Sequence, residues 1–245
     1  MAPVLSLLII IIAALLPGTF AVLCWGKRFE DDPVEFLFAG LSLGLLALGW
    51  LALILAEVGR FSLGLLGALW AVGLIALVCY YASLRSKQAL GRRKVSINRW
   101  EVGALSVWIV LAAWLFFRPH EFILGGADAG VYVNLGANIA RTGGILIHDS
   151  TLAALDPSLY PSLLRPLPPG EVTPYYLMPA FYVPGTPAGL IVPQFYPLHP
   201  VWQAVGYALG GLRAELLLTP LWGFLGALVL ILLYTLIIRE SFGVA

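Results

Sequence analysis

The chain has 245 residues, of which 60% are hydrophobic and only 11% are charged. A soluble domain carries about 25% charged residues, and the mean hydropathy here is +0.93, so the composition excludes an ordinary soluble domain. It also excludes disorder, which requires low hydrophobicity and a high net charge. The formal net charge of +1 gives no global field that would recruit a nucleic acid. The composition therefore predicts a membrane protein with several spans.

Five apolar segments are predicted to be transmembrane helices. The hydrocarbon core of a bilayer needs about 20 apolar residues per helix, and backbone polar groups in lipid must be satisfied within the segment. Four of the five segments reach that length readily. The remaining one, residues 102–117, is shorter and can span with local thinning of the bilayer. In chain order the segments are residues 4–23, 36–56, 63–82, 102–117 and 216–238. The predicted fold class is an all-α integral membrane protein.

The distribution of Lys and Arg predicts the orientation, because these residues concentrate in cytoplasmic loops. The strongest basic cluster lies between residues 85 and 99, so residues 83–99 are predicted to be cytoplasmic. The N-terminus and the loop 118–215 then lie on the exterior face of the plasma (inner) membrane. The first segment has no basic region before it and no small-residue cleavage site, so we expect a retained helix rather than a cleaved leader.

The exterior loop is rich in proline and in aromatic residues. Its stretch from Pro157 to Pro200 holds 12 of the 17 prolines of the chain, and proline fixes φ and removes a backbone donor. This stretch is therefore predicted to be extended and turned rather than helical. Two short helices are predicted to flank it, at residues 129–141 and 200–209, each ending at a glycine pair. Both are too short to span and are expected to lie along the membrane interface.

Asp128 is the most informative ionisable residue of this loop. It follows two glycines and stands at the head of the first short helix, in the sequence Gly-Gly-Ala-Asp-Ala-Gly-Val-Tyr. A carboxylate at the edge of a membrane is often functional and could act as a general base toward a hydroxyl nucleophile. The alternative is an N-cap that satisfies free backbone N–H groups of the helix. The two roles are compatible.

Other polar residues of the loop allow several interpretations. The pairs His120-Glu121 and His148-Asp149 have no close metal-ligand spacing, so neither a metal nor a cofactor is expected. His199 is expected to be a hydrogen-bonded interface residue that could also touch a ligand. The exterior arginines are expected to anchor the loop, and one of them could hold a phosphate. Cys24 and Cys79 lie in apolar runs and are read as small hydrophobes rather than as a disulfide.

Four short motifs occur in an order that is informative as a set. They are Asp128–Tyr132 (DAGVY), Ala137–Gly144 (ANIARTGG), Tyr196–Pro200 (YPLHP) and Tyr234–Gly243 (YTLIIRESFG). This order resembles the N-terminal portion of the C-superfamily (GT-C) membrane glycosyltransferases, and within it family 39, which includes protein O-mannosyltransferases and the lipid A aminoarabinose transferase. The resemblance covers roughly residues 118–243. Ala129 stands where that family often has a second acid.

The resemblance implies an enzyme that transfers a sugar from a polyprenyl-phosphate donor to an acceptor hydroxyl on the exterior face. Asp128 would be the catalytic residue, and the substrate-binding residues would be Tyr132, Arg141, Arg165 and His199. Family members carry eight or more spans, so the resemblance implies either a truncated enzyme or one half of a split enzyme, whose protein partner would supply further transmembrane helices. Membrane lipids and the polyprenyl-phosphate sugar are the other implied partners. The alternative is a non-catalytic membrane subunit of a larger complex that keeps the scaffold for binding lipids or helices.

The predicted organisation has two parts. Residues 1–99 would comprise three N-terminal transmembrane helices and the cytoplasmic basic loop. Residues 100–245 would form the GT-C-like unit, with a span, the exterior loop and the last span.

Overall fold

The computed structural model describes residues 3–25, 33–85, 99–118, 128–166 and 176–242, without the side chains of residues 33–34, 85, 99–101 and 232–242. The described part is 77% helical. The helices are α1 (Pro3–Trp25), α2 (Pro33–Glu57), α3 (Leu63–Arg85), α4 (Arg99–Phe116), α5 (Asp128–Thr142), α6 (Ser150–Ala154), α7 (Tyr160–Leu163), α8 (Leu198–Leu216) and α9 (Leu218–Phe242). The strands are β1 (Ile147–His148), β2 (Arg165–Pro166), β3 (Tyr176–Met178), β4 (Phe181–Val183) and β5 (Leu190–Pro193).

Three helices are long and apolar enough to cross a membrane, namely α1, residues 35–57 of α2 and residues 63–84 of α3. A fourth candidate span exists if α8 and the first part of α9 are counted as one interrupted span. The apolar part of α4 is shorter and covers Val102–Phe116. The described residues therefore carry three to four candidate spans, and the predicted total of five remains a prediction. The basic cluster between residues 86 and 98 lies outside the described residues.

The chain divides into two compact units, which do not coincide with the predicted parts 1–99 and 100–245. The first comprises residues 1–48, 68–120 and 216–245. Within it, α1 and α2 approach so closely that a Cβ atom added to Gly18 would collide with the backbone of Gly40, and one added to Gly44 would collide with the backbone of Ala14. Small residues at four-residue spacing allow this approach, as in membrane helix pairs. The glycines of the second apolar segment therefore serve helix packing.

The second unit comprises residues 49–67 and 121–215 and contains a five-stranded antiparallel sheet in the order β1-β5-β4-β3-β2. The side chains of Tyr160, Val183 and Ile191 form its small core. The sheet was not part of the all-α prediction, although the proline-rich stretch was expected to be extended. The prolines fit at its margins: Pro166 lies in the edge strand β2, and Pro193 ends β5.

α5 and α8 correspond to the two predicted short helices of the loop. α5 ends at Thr142, and Gly143 follows with φ +83°, so the predicted stop is confirmed. α8 begins two residues before the predicted start and continues to Leu216. Its Gly210 (φ −148°) and Gly211 (φ +70°) depart from helical geometry. The glycine pair therefore breaks the helix where a stop was predicted, and a second short helical segment follows the break.

Candidate functional site

Asp128 is the first residue of α5, and its side chain is exposed. A carboxylate in the first turn interacts favourably with the partial positive charge of the helix N-terminus, which gives the residue a structural role in addition to any chemistry. The preceding residue, which would occupy the cap position, lies outside the described residues. Tyr132 follows four residues later and therefore lies on the same face of α5 as Asp128.

Tyr132 joins α5 to the segment that opens α8. The centroid of its ring lies 5.3 Å from that of His199, with the two ring planes at 85°. The ring of Phe195 lies equally close to Tyr132, at 5.3 Å and 61°. Both contacts are edge-to-face arrangements, which aromatic rings favour electrostatically. The structure thus brings together two of the predicted site residues, Tyr132 and His199, and adds Phe195, which sequence reasoning had not selected.

His199 is partly buried, and its ring is also held by a polar neighbour. The amide Nε2 of Gln203 lies 3.2 Å from Nε2 of His199. An amide NH₂ group can only donate, so with the amide in this orientation the ring nitrogen accepts, and the neutral ring carries its proton on Nδ1. Burial lowers the pKa of His199 below its usual value, because the charged imidazolium loses solvation. The hydrogen bond and the burial both favour a neutral His199 at neutral pH.

The predicted cationic residues lie apart from Tyr132 and His199 along the chain. Arg141 occupies the last turn of α5 and is exposed; it is 13 residues from Asp128, which in a helix is roughly 20 Å. Arg165 is exposed on the edge strand β2, where it pairs with Leu177. The sheet therefore positions Arg165, and the end of α5 positions Arg141. Their predicted role in binding a phosphate stays a prediction.

A buried polar cluster behind α5 was missed at the sequence level. Gln203 is only 2% exposed and Glu215 is fully buried. Oε1 of Gln203 and both carboxylate oxygens of Glu215 are buried without a hydrogen-bond partner among the described residues. Burial raises the pKa of Glu215 to about 8. The spacing of four residues between His199 and Gln203 could have indicated that these two side chains meet on one face of a helix. Nothing in the local sequence marks Glu215 as buried.

Among the remaining polar candidates of the loop, Asp149 has a structural role. The carboxylate of Asp149 accepts a hydrogen bond of 2.7 Å from the backbone N–H of Leu152 and so caps α6, while His148 is exposed in β1. His120 and Glu121 lie outside the described residues. Within the described ranges, no group of three or more His, Cys, Asp or Glu side chains could hold a metal. The ring of Tyr176 packs edge-to-face on Tyr160, at 5.7 Å, within the core of the sheet.

Comparison with known proteins gives no relative from which a function could be transferred. No protein-family model, no curated protein and no solved structure matches this chain.

Proposed function

We propose that this chain is a membrane-embedded glycosyltransferase of the GT-C type, which transfers a sugar from a polyprenyl-phosphate donor to an acceptor hydroxyl. The proposal is supported above all by the edge-to-face contact of Tyr132 with His199. These two residues are 67 positions apart in the sequence and belong to two motifs that both contribute to the family resemblance. Their meeting one helical turn from Asp128 is what a single site built from these motifs requires.

Each residue has a defined part in the proposed reaction. The carboxylate of Asp128 takes the proton of the acceptor hydroxyl while the hydroxyl oxygen bonds to the anomeric carbon of the sugar. The bond between that carbon and the phosphate oxygen breaks, and the polyprenyl phosphate leaves with the electron pair. General-base assistance of this kind contributes about 10²–10⁴-fold to a rate. Tyr132 offers an aromatic surface to the sugar, and a neutral His199 can donate a hydrogen bond.

The proposed setting is the exterior face of the plasma (inner) membrane. The apolar helices α1, α2 and α3 suit a bilayer, and Asp128 is proposed to lie at the level of the headgroup of a lipid-linked sugar. Arg165 is proposed to contact the donor phosphate, since a guanidinium group offers paired donors to an oxyanion. Arg141 lies at the opposite end of α5 from Asp128 and is left out of this proposal. A partner chain is proposed to supply the further transmembrane helices that GT-C enzymes have.

The experiment is a transfer assay in membranes that contain the full chain together with its native partners. A polyprenyl-phosphate sugar that carries a label in the sugar is added. The amount of label transferred to hydroxyl acceptors is then compared with the amount transferred in membranes from cells that lack the chain. The proposal expects transfer that depends on the chain. Transfer that is unchanged by the deletion contradicts it and favours the alternative, a non-catalytic membrane subunit.

A further inference from the structure

Glu215 and Gln203 meet at a single point on α5. A Cβ atom added to Gly136 would lie 2.5 Å from Oε1 of Glu215 and 2.6 Å from Cβ of Gln203. Only glycine at position 136 leaves room for both side chains. The carboxyl group of Glu215 is therefore wedged between α8 and the backbone of α5.

The break in α8 makes this meeting possible. A straight helix would separate the Cα atoms of residues 203 and 215 by roughly 18 Å, which is too far for both side chains to reach Gly136. Gly210 and Gly211, which lie between Gln203 and Glu215, depart from helical geometry. Gly211 has φ +70°, a conformation that glycine adopts at little cost. The glycine break thus returns the last segment of α8, and Glu215 with it, to α5.

The environment of Glu215 favours an uncharged carboxyl group. Glu215 is completely buried, and neither carboxylate oxygen has a hydrogen-bond partner among the described residues. An ionised carboxylate without a partner in such a site loses its hydration and gains nothing in return. The other two atoms that an added Cβ at Gly136 would meet are uncharged, namely Cβ of Gln203 and the backbone carbonyl oxygen of Pro200.

The ionisable side chains of the two helices do not compensate a charge on Glu215. Those of α5 are Asp128, Tyr132 and Arg141, and those of α8 are His199, Tyr207 and Arg213. Asp128, Arg141 and Arg213 are exposed to solvent. Burial is the cause that raises the pKa of Glu215 to about 8.

We propose that Glu215 is a proton-binding site that locks α8 against α5 at Gly136 and releases this contact when it loses its proton. The protonated carboxyl group is accommodated in the buried site, whereas the carboxylate has to reach water, which requires the end of α8 to move. Because α5 carries Tyr132 and α8 carries His199, the lock also holds the candidate site together. This last consequence rests on the proposed function, whereas the lock itself does not.

The sign of the pH effect follows from the raised pKa. The folded state binds the proton more tightly than the unfolded chain, in which the pKa has the ordinary value of 4.5. The stabilisation is therefore complete below pH 4.5 and declines as the pH rises to about 8. His199 contributes no slope above its unfolded pKa of about 6.5, because it is then neutral in both states. The range from pH 6.5 to 9 therefore separates the titration of Glu215 from that of His199.

The experiment is thermal unfolding of the full chain in lipid nanodiscs at pH 6.5 and pH 9. The Tm of the wild type should fall by roughly 4–8 °C between these values. The Glu215→Gln variant, whose amide cannot ionise, should show less than half of this fall, whereas Glu57→Gln, at an exposed carboxylate, should show the full fall. Equal falls in the wild type and Glu215→Gln overturn the proposal.

Two further measurements keep the proposal testable if Glu215→Gln fails to fold. Gly136→Ala should displace the carboxyl group and reduce the pH-dependent fall, while Gly64→Ala, where an added Cβ meets no atom within 4 Å, should retain it. In the wild type labelled with ¹³C-glutamate, infrared spectra at pH 6.5 should contain a protonated carboxyl band that disappears by pH 9. Absence of that band at pH 6.5 overturns the proposal. None of these measurements uses a sugar donor, so a failed transfer assay leaves them unaffected.

Discussion

The ring of Tyr132 stands edge-on to the ring of His199, with centroids 5.3 Å apart and planes at 85°. Tyr132 comes from α5 and His199 from the start of α8, so this contact joins two helices of the second unit. A perpendicular aromatic pair adds about 0.5–1.5 kcal/mol to the free energy gained by burial alone. The same two side chains thus hold the unit together and line its candidate site.

Replacing Tyr132 should destabilise the second unit. Tyr132→Ala removes the contacts with both His199 and Phe195, and we expect a loss of about 2 kcal/mol in the free energy of unfolding. Tyr132→Phe keeps the ring and should lose less than about 0.5 kcal/mol. Denaturant unfolding followed by tryptophan fluorescence measures both. Tyr196→Ala is the control, because Tyr196 is 93% exposed; equal losses at positions 132 and 196 would contradict the packing role of Tyr132.

His199 should titrate below the usual range of histidine. Burial lowers its pKa, so its contribution to stability is present above the unfolded pKa of about 6.5 and is lost as the pH falls through the lower, folded pKa. NMR of ¹⁵N-labelled histidine rings should show that the ring of His199 stays neutral below pH 6.5, with its proton on Nδ1. The His199→Gln variant, in which the resonance of this ring should be missing, assigns the signal. A His199 resonance that titrates at or above pH 6.5 would contradict the buried, neutral ring.

The α1–α2 contact should be intolerant of side chains. Gly44→Val places methyl groups against the backbone of Ala14, where even a Cβ atom collides, and such overpacking typically costs about 1–3 kcal/mol. Gly103→Val is the matched control in another apolar helix, because an added Cβ at Gly103 meets no atom within 4 Å. Thermal unfolding in nanodiscs should show a clear fall in Tm for Gly44→Val and little change for Gly103→Val. The reverse order would mean that α1 and α2 do not pack in this way.

Two glycines of the sheet region separate the cost of backbone strain from that of crowding. Gly189 (φ +77°) and Gly185 (φ +78°) have nearly the same φ. A Cβ at Gly189 would lie 2.5 Å from the carbonyl oxygen of Asp149, whereas one at Gly185 meets its nearest atom, on Tyr160, at 4.0 Å. Gly185→Ala should therefore cost about 1–2 kcal/mol through strain alone, and Gly189→Ala about 1–3 kcal/mol more through overpacking. Equal costs in denaturant unfolding would show that Asp149 moves aside freely.

The sequence predicted those features that depend on local chemistry. A glycine with positive φ ends α5 as expected, and the glycine pair after residue 209 interrupts α8 because glycine tolerates such conformations. Tyr132 and His199 were both selected as site residues, although their direct contact depends on how two distant segments fold together. The catalytic role of Asp128 and the number of spans remain predictions.

The sheet and the buried acid could not be predicted from the sequence. The strands are two to four residues long, too short for an alternating pattern to emerge, and their pairing depends on distant segments. Glu215 stands directly before a long apolar segment, where a charged residue ordinarily marks the membrane surface. Its burial follows from the break at Gly210 and Gly211 and from the absence of a side chain at Gly136, and neither effect is local to Glu215.

The rate of sugar transfer by Asp128→Asn, relative to the wild type, tests the central claim most directly. The assay uses membranes with the full chain, its partners and a labelled polyprenyl-phosphate sugar, and Asp156→Asn at another exposed aspartate is the control. We predict that Asp128→Asn lowers the rate about 10²–10⁴-fold, while the lost interaction with the helix N-terminus lowers the Tm by no more than about 4 °C. Asp156→Asn should retain the wild-type rate. A wild-type rate in Asp128→Asn would contradict the assignment of Asp128 as the general base.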